Sequence, residues 1–413
     1  MDHFFGSSPI TADDDTLTLN QSTTLNFNFS EDVNGFTSGD ISLSGNGSLT
    51  NFSGSGASYT ASYTAAGSDE TDTVSVAAGA FTDGVGQSNT ESSSKNLAVG
   101  GLVENYGNYF SAFGATEVIT GTSSRDELTF DEYAAYDGGS IAVNAHGGDD
   151  HITFGHYAAQ YAASITINNL DGDQRYDVGG WAGRSGSFSI NTGNGEHVFS
   201  IGYKAGVAGQ FSINAGDGSQ SYYLGAEASN VSITAGDGDQ FFDIERNAGQ
   251  TNGNVSIDVG DGNQTFKIGL KAAQFGGNLS ITTGDGNQIF TIEEEAARNN
   301  GTVSIISGVG SSTFTFGVNA GIEPNGSEVH GTIILDLGLD TDADSISFDG
   351  LVGNIFIQNY SITYDDKVDV VVPSTWSGTD NGTDIVFTQS DQTITFEGLG
   401  GVGGSTDPID YFM

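Results

Sequence analysis

Aspartate side chains recur in glycine-rich turns through the middle of this chain, and carboxylates placed in this way are candidate metal ligands. Four turns begin Gly216-Asp217-Gly218, Gly236-Asp237-Gly238, Gly260-Asp261-Gly262 and Gly284-Asp285-Gly286, and each closes with Gln two residues later. Carboxylate oxygens are hard ligands that suit Ca²⁺. The candidate ligands in these and equivalent turns are Asp149, Asp171, Asp173, Asp217, Asp237, Asp239, Asp261 and Asp285.

One aspartate per turn forms a row, which comprises Asp171, Asp217, Asp237, Asp261 and Asp285, with Asn194 in register. If the turns stack at the strand spacing of about 4.8 Å, neighbouring carboxylates repel each other by about 0.9 kcal/mol in water. The row could bind Ca²⁺ weakly, or bridge to neighbouring molecules through Ca²⁺. Alternatively it is a solvated edge, because Asp favours glycine-flanked turns for backbone reasons.

The turns belong to a repeat of about 24 residues, which must position them. Their first residues are spaced by 23 or 24 residues, apart from one interval of 20: Thr122, His146, Leu170, Gly193, Gly216, Gly236, Gly260, Gly284 and Gly308. An alternating apolar pair, such as Phe266 and Ile268, follows each turn, and a second such pair lies on a further short strand. A fixed period of this length indicates stacked units. The pattern predicts a β-solenoid over 118–321, with aromatic rings stacked inside.

Two turns resemble the calcium-binding repeats of RTX (repeats-in-toxin) proteins, whose pattern is Gly-Gly-x-Gly-x-Asp-x-apolar-x. One lies at Gly121-Thr122-Ser123-Ser124-Arg125-Asp126-Glu127-Leu128, the other at Gly147-Gly148-Asp149-Asp150-His151-Ile152. The resemblance implies that Asp126 and Asp150 bind Ca²⁺ together with turn carbonyls. The coil is longer than that of the RTX family, so the chain resembles a diverged relative.

The later turns depart from the RTX pattern at the position of its Asp. That position is occupied in turn by Gln174, His197, Gln220, Gln240, Gln264 and Gln288. An amide can donate to the next amide, so the column predicts a hydrogen-bonded ladder. Such a ladder is a structural replacement for a metal between about residues 174 and 312.

The composition excludes several classes of partner. The chain of 413 residues has a net charge of −43 and no Cys. It lacks the basic footprint of a nucleic-acid-binding protein and is repelled by an anionic membrane surface. The sequence contains no run of 18 apolar residues, so it does not predict a membrane-spanning helix. The start of the chain does not have the pattern of a cleavable secretory signal. The charge favours cations as partners.

The first part of the chain predicts a separate sandwich. Alternating runs such as Leu25-Asn26-Phe27-Asn28-Phe29, separated by turn residues, are typical of antiparallel strands. The stretch from Phe29 to Phe36, with Ala77-Ala78-Gly79-Ala80-Phe81, resembles bacterial Ig-like domains of surface adhesins, which implies a spacer or contact module. We therefore expect an all-β chain with these parts: a tail 1–8, an Ig-like β-sandwich 9–99, a linker 100–117, the solenoid 118–321, irregular terminal coils 322–372 and a β-rich C-terminal cap 373–413.

The C-terminal region resembles the uncleaved export tail of RTX proteins secreted by type I systems. The resemblance is carried by Thr383-Asp384-Ile385-Val386-Phe387, Thr393-Ile394-Thr395-Phe396 and the ending Asp407-Pro408-Ile409-Asp410-Tyr411-Phe412-Met413. It implies secretion to the surface or extracellular matrix of a Gram-negative bacterium.

These observations favour a structural protein over an enzyme, since a repeat spreads the same chemistry along a surface. We predict an extracellular, calcium-dependent protein that binds itself and assembles into a surface layer, filament or biofilm matrix, with cell-surface polysaccharide as a further candidate partner. One alternative is a carbohydrate- or ice-binding adhesin module. Another is a polysaccharide lyase or epimerase, because carboxylates such as Glu293-Glu294-Glu295 could mimic a glycosidase pair.

Overall fold

The structure is a computed structural model that describes residues 10–66, 70–89, 93–322, 330–338, 342, 344–348, 353–358, 367–369, 377–381, 384–389 and 392–397. These residues contain 36 β-strands and one short 3-10 helix, Ser38–Asp40. The chain divides into two compact units, of which the first comprises Met1–Glu104, Thr120–Leu128 and Ala145–Asp150, and the second Asn105–Ile119, Thr129–Asn144 and His151–Met413. The predicted all-β fold, with an Ig-like sandwich followed by a β-solenoid, is confirmed.

The Ig-like sandwich contains ten strands. They are β1 Ile10–Ala12, β2 Thr16–Leu17, β3 Ser22–Asn28, β4 Val33–Asn34, β5 Ile41–Leu43, β6 Ser48–Ser55, β7 Ser58–Thr64, β8 Glu70–Val76, β9 Thr82–Asp83 and β10 Ser93–Val99. Two sheets have the orders β1-β3-β7-β6 and β2-β10-β8-β5, and β4 pairs with β9. Alternation along the strands buries Leu25, Phe27 and Val74 completely, as expected for two sheets that share one core. The buried Tyr63 hydroxyl donates to Asp72 Oδ2 at 2.6 Å.

One sheet of the solenoid, here called the first sheet, contains 12 strands in chain order. They are β11 Val103–Tyr106, β13 Glu127–Phe130, β15 His151–Phe154, β17 Arg175–Val178, β19 Val198–Ile201, β21 Ser221–Leu224, β23 Phe241–Ile244, β25 Thr265–Ile268, β27 Ile289–Ile292, β29 Thr313–Phe316, β31 Ser345–Phe348 and β33 Lys367–Asp369.

The second sheet contains 14 strands, and the chain alternates between the two sheets. Its strands, in order across the sheet, are β12 Thr116–Thr120, β14 Ser140–His146, β16 Ser164–Asn169, β18 Ser187–Asn191, β20 Gln210–Asn214, β22 Val231–Ala235, β24 Asn254–Val259, β26 Asn278–Thr283, β28 Thr302–Ile306, β30 Thr332–Asp336, β32 Asn354–Gln358, β36 Gln392–Phe396, β35 Ile385–Gln389 and β34 Ser377–Asp380. The last two pairings are antiparallel, so the repeat ends there.

Identical residues stack in the core because successive strands pair in register. Phe242 pairs with Phe266, and Phe266 with Phe290. Their ring centroids lie 4.6 and 4.8 Å apart with the planes within 8° of parallel. The isoleucines of the second sheet, such as Ile257 and Ile281, are buried opposite them. Each coil therefore buries its apolar face only against its neighbours, which is the physical basis of a solenoid.

The aromatic stack changes position near its start. Phe130 and Phe154 stack with centroids 4.3 Å apart, but Phe154 pairs with Val178, and Tyr176 pairs with Ile152. The aromatic residue thus moves by two positions along the strand between these coils. Both positions face the core, so the shift exchanges an aromatic ring for an aliphatic side chain without changing the face that is buried.

The third side of the solenoid, meaning the segments that join each first-sheet strand to the next second-sheet strand, contains residues with positive φ. At one equivalent position in each coil φ lies between 58° and 66°: Tyr109, Tyr133, Tyr157, Trp181, Lys204, Glu227, Asn247, Lys271, Glu295 and Asn319. Tyr157 N donates to Gly180 O of the next coil, whereas Ala159 N donates to Ala134 O of the preceding coil. Residues in the left-handed conformation thus allow the backbone N–H and C=O groups of the third side to form hydrogen bonds with neighbouring coils, although this side is not a strand.

The shortest coil differs from the others only on this third side. Six residues, 225–230, separate Leu224 from Val231, whereas ten residues, 245–254, separate their pairing partners Ile244 and Val255. The strands on both sides nevertheless stay in register, since Tyr222 pairs with Phe242 and Ile233 with Ile257. The 20-residue interval seen in the repeat is therefore absorbed without disturbing either sheet.

Several predicted boundaries can be compared with the described strands. The segment 100–117, predicted as a linker, contains β11 and the start of β12, which are the end strands of the two sheets. Within 322–372, β30 continues the register of β28 and β31 that of β29. The ending Asp407–Met413, predicted as part of an export tail, lies outside the described residues. Among the described residues, no helix is both long and apolar enough to span a membrane.

Candidate functional site

The exposed aspartate row links each turn to the next through its carboxylates. Asp237 Oδ1 accepts from Asp261 N at 2.9 Å, and Asp261 Oδ1 accepts from Asp285 N at 2.8 Å. The same bond recurs along the row. A backbone N–H one coil later donates to Oδ1 of each of the residues Asp171, Asn194, Asp217 and Asp285. An amide oxygen at Asn194 makes the bond at the same length as a carboxylate oxygen. The row therefore needs an Oδ1 acceptor at each turn, but it does not need the charge.

A second exposed row lies two residues further along each turn. Asp173 Oδ1 accepts from Glu196 N, and Asp239 Oδ1 accepts from Asn263 N, both at 2.8 Å. Asn263 continues the series by accepting from Asn287 N at 3.1 Å. Between the two rows, Gly218 and its equivalents have φ near 130° and contact the glycine of the preceding coil. The glycines are required there, because a Cβ would overlap the neighbouring backbone.

Replacing one carboxylate in the first row with an amide is expected to stabilise the solenoid at low salt. Asp261→Asn keeps the Oδ1 acceptor and removes a charge that is flanked by two others, each repelling it by about 0.9 kcal/mol in water. We expect the free energy of unfolding to rise by about 1 kcal/mol at low ionic strength and the gain to fade as salt screens the row. Urea unfolding at several NaCl concentrations would measure it.

Asp258→Asn is the matched control for this prediction. Asp258 is also exposed, but Thr234 and Thr282 flank it in the neighbouring strands. Its replacement should change stability by less than about 0.5 kcal/mol. Equal effects of the two variants, or an Asp261→Asn effect that is independent of salt, would contradict repulsion along the row.

A buried amide ladder lies beneath the exposed rows. Gln240 Nε2 donates to Gln220 Oε1 at 3.1 Å, Gln264 Nε2 to Gln240 Oε1 at 3.0 Å, and Gln288 Nε2 to Gln264 Oε1 at 3.1 Å. Each amide also donates to the carbonyl of the glycine that opens its own turn, as Gln264 does to Gly260 O at 3.1 Å. The ladder predicted from the column of glutamines is present from Gln220 to Gln288, and its hydrogen bonds link successive turns.

His197 replaces glutamine in this column and reproduces its bonds in one tautomer. Gln174 N donates to His197 Nδ1 at 3.3 Å, so Nε2 carries the proton and donates to Gly193 O at 2.9 Å. Burial lowers the pKa of His197, although the Gly193 carbonyl and the carboxylates of Asp173 and Asp171 oppose the shift. A proton added at Nδ1 would point at the Gln174 N–H, so the folded chain favours the neutral ring.

His197→Gln is expected to make stability less sensitive to acid. Because folding lowers the pKa of His197, the unfolded chain takes up a proton before the folded chain does as the pH falls through about 6.5. The wild type should therefore lose free energy of unfolding between pH 7 and pH 5 relative to the variant, in which an amide continues the ladder. Urea unfolding of both proteins over this range would measure the difference, in which the carboxylates common to both cancel. Parallel pH profiles would contradict the assignment.

The two aspartates that the RTX resemblance assigns to calcium are buried hydrogen-bond acceptors. Asp126 Oδ1 accepts from Leu102 N at 2.6 Å and from Thr122 Oγ1 at 2.7 Å, and its Oδ2 accepts from Thr122 N at 2.8 Å. Asp150 Oδ1 accepts from Asp126 N at 2.8 Å. Asp126 and Asp150 are 0% and 1% exposed. Both oxygens of Asp126 thus face N–H or O–H donors, which does not fit a metal ligand.

The other eight candidate ligands lie at the surface in the exposed rows. They are Asp149, Asp171, Asp173, Asp217, Asp237, Asp239, Asp261 and Asp285. Across the part of the chain that the structure describes, no three His, Asp or Glu side chains converge into a metal-binding group. The exposed row fits cations that are held loosely, because its carboxylates recur at the rung spacing and face water.

A cluster of charged side chains on the outer face of the first sheet was not predicted from the sequence. Asp177 Oδ2 accepts from His151 Nε2 at 2.7 Å and from Arg175 Nε at 2.8 Å. Burial would raise the pKa of Asp177, but hydrogen bonds from Arg175, His151 and Ser200 lower it below its ordinary value. His151, Arg175 and Asp177 lie at adjacent outward positions of β15 and β17, a relation that the strand register could have revealed.

An aromatic column on the third side was not predicted from the sequence either. Tyr109, Tyr133 and Tyr157 stack with centroids 4.8 and 4.9 Å apart, and Trp181 follows at 6.5 Å. Lys204 Nζ lies 4.4 Å from the Trp181 ring centroid and 3.2 Å from Glu227 Oε2. The spacing of 24 residues between the tyrosines would have predicted this column.

Comparison with known proteins identifies only the first part of the chain. The bacterial Ig-like domain family matches residues 6–99, in agreement with the sandwich. No curated protein matches the chain, and no solved structure matches it. No calcium-binding repeat family supports the RTX resemblance. A bacterial Ig-like domain together with a β-solenoid is compatible with an extracellular structural protein or adhesin.

Proposed function

We propose that this chain is an extracellular structural protein that assembles with copies of itself into a filament, layer or matrix on the surface of a Gram-negative bacterium. The observation that carries the proposal is the repetition of one hydrogen-bonded rung along both sheets. Such a rod repeats the same surface at each step. The Ig-like domain is then a spacer or contact module, and type I secretion, suggested by the resemblance of the C-terminal region, is its route of export.

The ends of the two sheets supply the surfaces for assembly. Among the described strands, β12 is the end strand of the second sheet and β34 is the strand at its opposite end. An unpaired strand edge offers N–H and C=O groups to another chain. Val118, in the middle of β12, is 61% exposed. Contact between unlike ends would give an open polymer, whereas contact between like ends would give a dimer.

Calcium enters this proposal through the exposed carboxylate rows and not through the buried Asp126 and Asp150. With a net charge of −43, copies of the chain repel one another. Divalent cations held loosely at the rows, for example at Asp237 and Asp261, would screen the charge and could bridge two copies through oxygen ligands. Calcium would thus favour assembly more than folding.

Negative-stain microscopy and sedimentation of the purified chain, with calcium and with EGTA, test the proposal. We expect fibres or sheets in calcium that disperse in EGTA while the β-structure measured by circular dichroism is retained. Val118→Lys should block assembly by placing a charge on the end strand. Ile306→Lys is the control, because Ile306 is also exposed but lies on β28, which is paired on both sides. A monomer at high concentration in calcium would overturn the proposal.

A further inference from the structure

A groove follows the boundary between the first sheet and the third side. Glycines form its floor at Gly155, Gly179, Gly202 and Gly225, where a Cβ would meet the backbone of the preceding coil. Outward side chains of the first sheet form one wall, and the first residues of the third side form the other. The groove has a volume of about 670 Å³, which lies within the range of ligand-binding sites, about 300–1,000 Å³.

The groove contains an aromatic ring that is held in place and remains partly exposed. A Cβ at Gly180 would lie 2.4 Å from Tyr203 Cε1, so the Tyr203 ring packs directly on the Gly180 backbone. Trp181 Nε1 donates to the Tyr203 hydroxyl at 2.9 Å and fixes the ring from its edge. Tyr203 remains 42% exposed. Gly180 does not have positive φ, so packing against this ring, and not backbone conformation, is what excludes a side chain there.

The tyrosine in the middle of the third-side column is different, because both of its faces are covered. Tyr133 lies between Tyr109 and Tyr157 in a nearly parallel stack. Only the edges of such rings reach solvent, so they offer no flat surface to a ligand. Tyr203 meets Trp181 at 75° instead. A second exposed ring, that of Tyr223, lies on the opposite wall of the groove, one coil further on.

Polar groups line the groove in the coils before and after the two rings, and several of them are held by hydrogen bonds. Arg175 and His151 hold the Asp177 carboxylate. Glu245 Oε2 accepts from Ala226 N at 3.1 Å. His156 Nδ1 accepts from Gly180 N at 2.8 Å, which leaves Nε2 as a donor. Ser200 and Asp243 complete the set. Hydrogen-bonding groups of this kind, placed beside exposed aromatic rings, are suited to a ligand that has hydroxyls on its edge and C–H groups on its face.

The charge of the groove selects among such ligands. Its lining includes Asp177, Asp243 and Glu245 but neither Lys nor Arg. Carboxylates accept hydrogen bonds from hydroxyl groups and repel a second carboxylate. Acidic sugars are therefore disfavoured beside Tyr203 and Tyr223. The groove also continues along the solenoid beside Arg246, Lys267 and Glu293, and then beside Thr315 and Gly317. An extended chain fits this shape better than a small molecule.

We propose that this groove binds a neutral polysaccharide, with one sugar ring stacked on Tyr203 and the hydroxyls of different sugars along the chain bonded to the carboxylates of Asp177 and Asp243, which lie three strands apart. The proposal does not rest on self-assembly, because the groove lies along the rod and not at the end strands. A neutral polysaccharide would then be a second partner of the chain, in addition to other copies of itself.

Native gel electrophoresis in gels that contain a soluble polysaccharide tests the inference. Hydroxyethyl cellulose, dextran and mannan are the neutral probes, and alginate and polygalacturonate the acidic ones. We expect at least one neutral polymer, and neither acidic polymer, to retard the protein. Tyr203→Ala and Tyr223→Ala should each weaken binding by about three- to tenfold through loss of a stacking surface. Gly180→Ala should also weaken binding, because it displaces the Tyr203 ring without removing it.

Tyr161→Ala is the matched control, since Tyr161 is 46% exposed but does not line the groove. It should bind as the wild type does, and circular dichroism should show that all four variants are folded. The inference would be overturned if no neutral polymer retarded the protein, or if the acidic polymers did. It would also be overturned if the groove variants bound as tightly as the wild type. Assembly is measured without polysaccharide, so failure of either proposal leaves the other standing.

Discussion

Phe266→Ala is expected to destabilise the solenoid by about 3–5 kcal/mol, the range for removal of a fully buried Phe side chain. Phe266 is 0% exposed and its ring lies between those of Phe242 and Phe290. The strands on both sides keep their pairing, so the coil cannot collapse into the cavity. The loss should therefore lie near the upper end of the range. Urea unfolding followed by circular dichroism would measure it.

The position of Phe266 within a repeat adds a second expectation. Stability in a solenoid is close to a sum of contacts between neighbouring coils. The variant weakens two such contacts at once and should reduce the cooperativity of unfolding, seen as a broader transition. Phe275→Ala is the control, because Phe275 is 52% exposed; it should change the free energy of unfolding by less than about 0.5 kcal/mol. Similar losses for the two variants would show that the ring stack does not stabilise the fold.

Gln264→Glu is expected to cost about 3 kcal/mol or more at pH 7, because it buries a charge and removes a donor. Gln264 Nε2 donates to Gln240 Oε1 and to Gly260 O. In the variant a carboxylate oxygen would face both acceptors. Burial should raise the pKa of the new Glu above its ordinary value. The penalty is therefore full above that raised pKa and shrinks as the pH falls below it, because a protonated Glu can donate.

Gln210→Glu separates this effect from a general response to added negative charge. Gln210 is exposed at the start of β20, so the same substitution there should have little effect and no comparable recovery in acid. Unfolding curves for both variants at pH 7 and pH 5 would provide the comparison. If Gln264→Glu were no less stable than Gln210→Glu at pH 7, the amide ladder would not hold the turns together.

The strict period explains why the core and the amide ladder could be predicted from sequence. Phe242, Phe266 and Phe290 repeat at 24 residues, and so do Gln240, Gln264 and Gln288. In a stacked coil an equal sequence interval places equal residues one above another. No other information about the backbone was needed. The metal assignment of Asp126 and Asp150 came from the RTX resemblance and not from the period, and it stays a prediction; in the structure both oxygens of Asp126 and Oδ1 of Asp150 accept hydrogen bonds.

The groove and the third side could not be predicted in the same way. Positive φ is uncommon for residues such as Tyr157 and Trp181, so residue type does not indicate the conformation there. Gly180 is one of 62 glycines, and only the structure shows that Tyr203 packs on it. Features that occur once in a repetitive chain depend on three-dimensional contacts, and the repeat period does not predict such features.

The shortened coil between β21 and β22 has a consequence for engineering. Four fewer residues separate Leu224 from Val231 than separate their partners Ile244 and Val255, while both sheets stay in register. The length of the third side can therefore change without shifting the strand pairing. A peptide tag or small binding module inserted beside Glu227, which is partly exposed, would project from the solenoid at a known height. Copies of the chain that assemble end to end would then display such cargo at regular intervals.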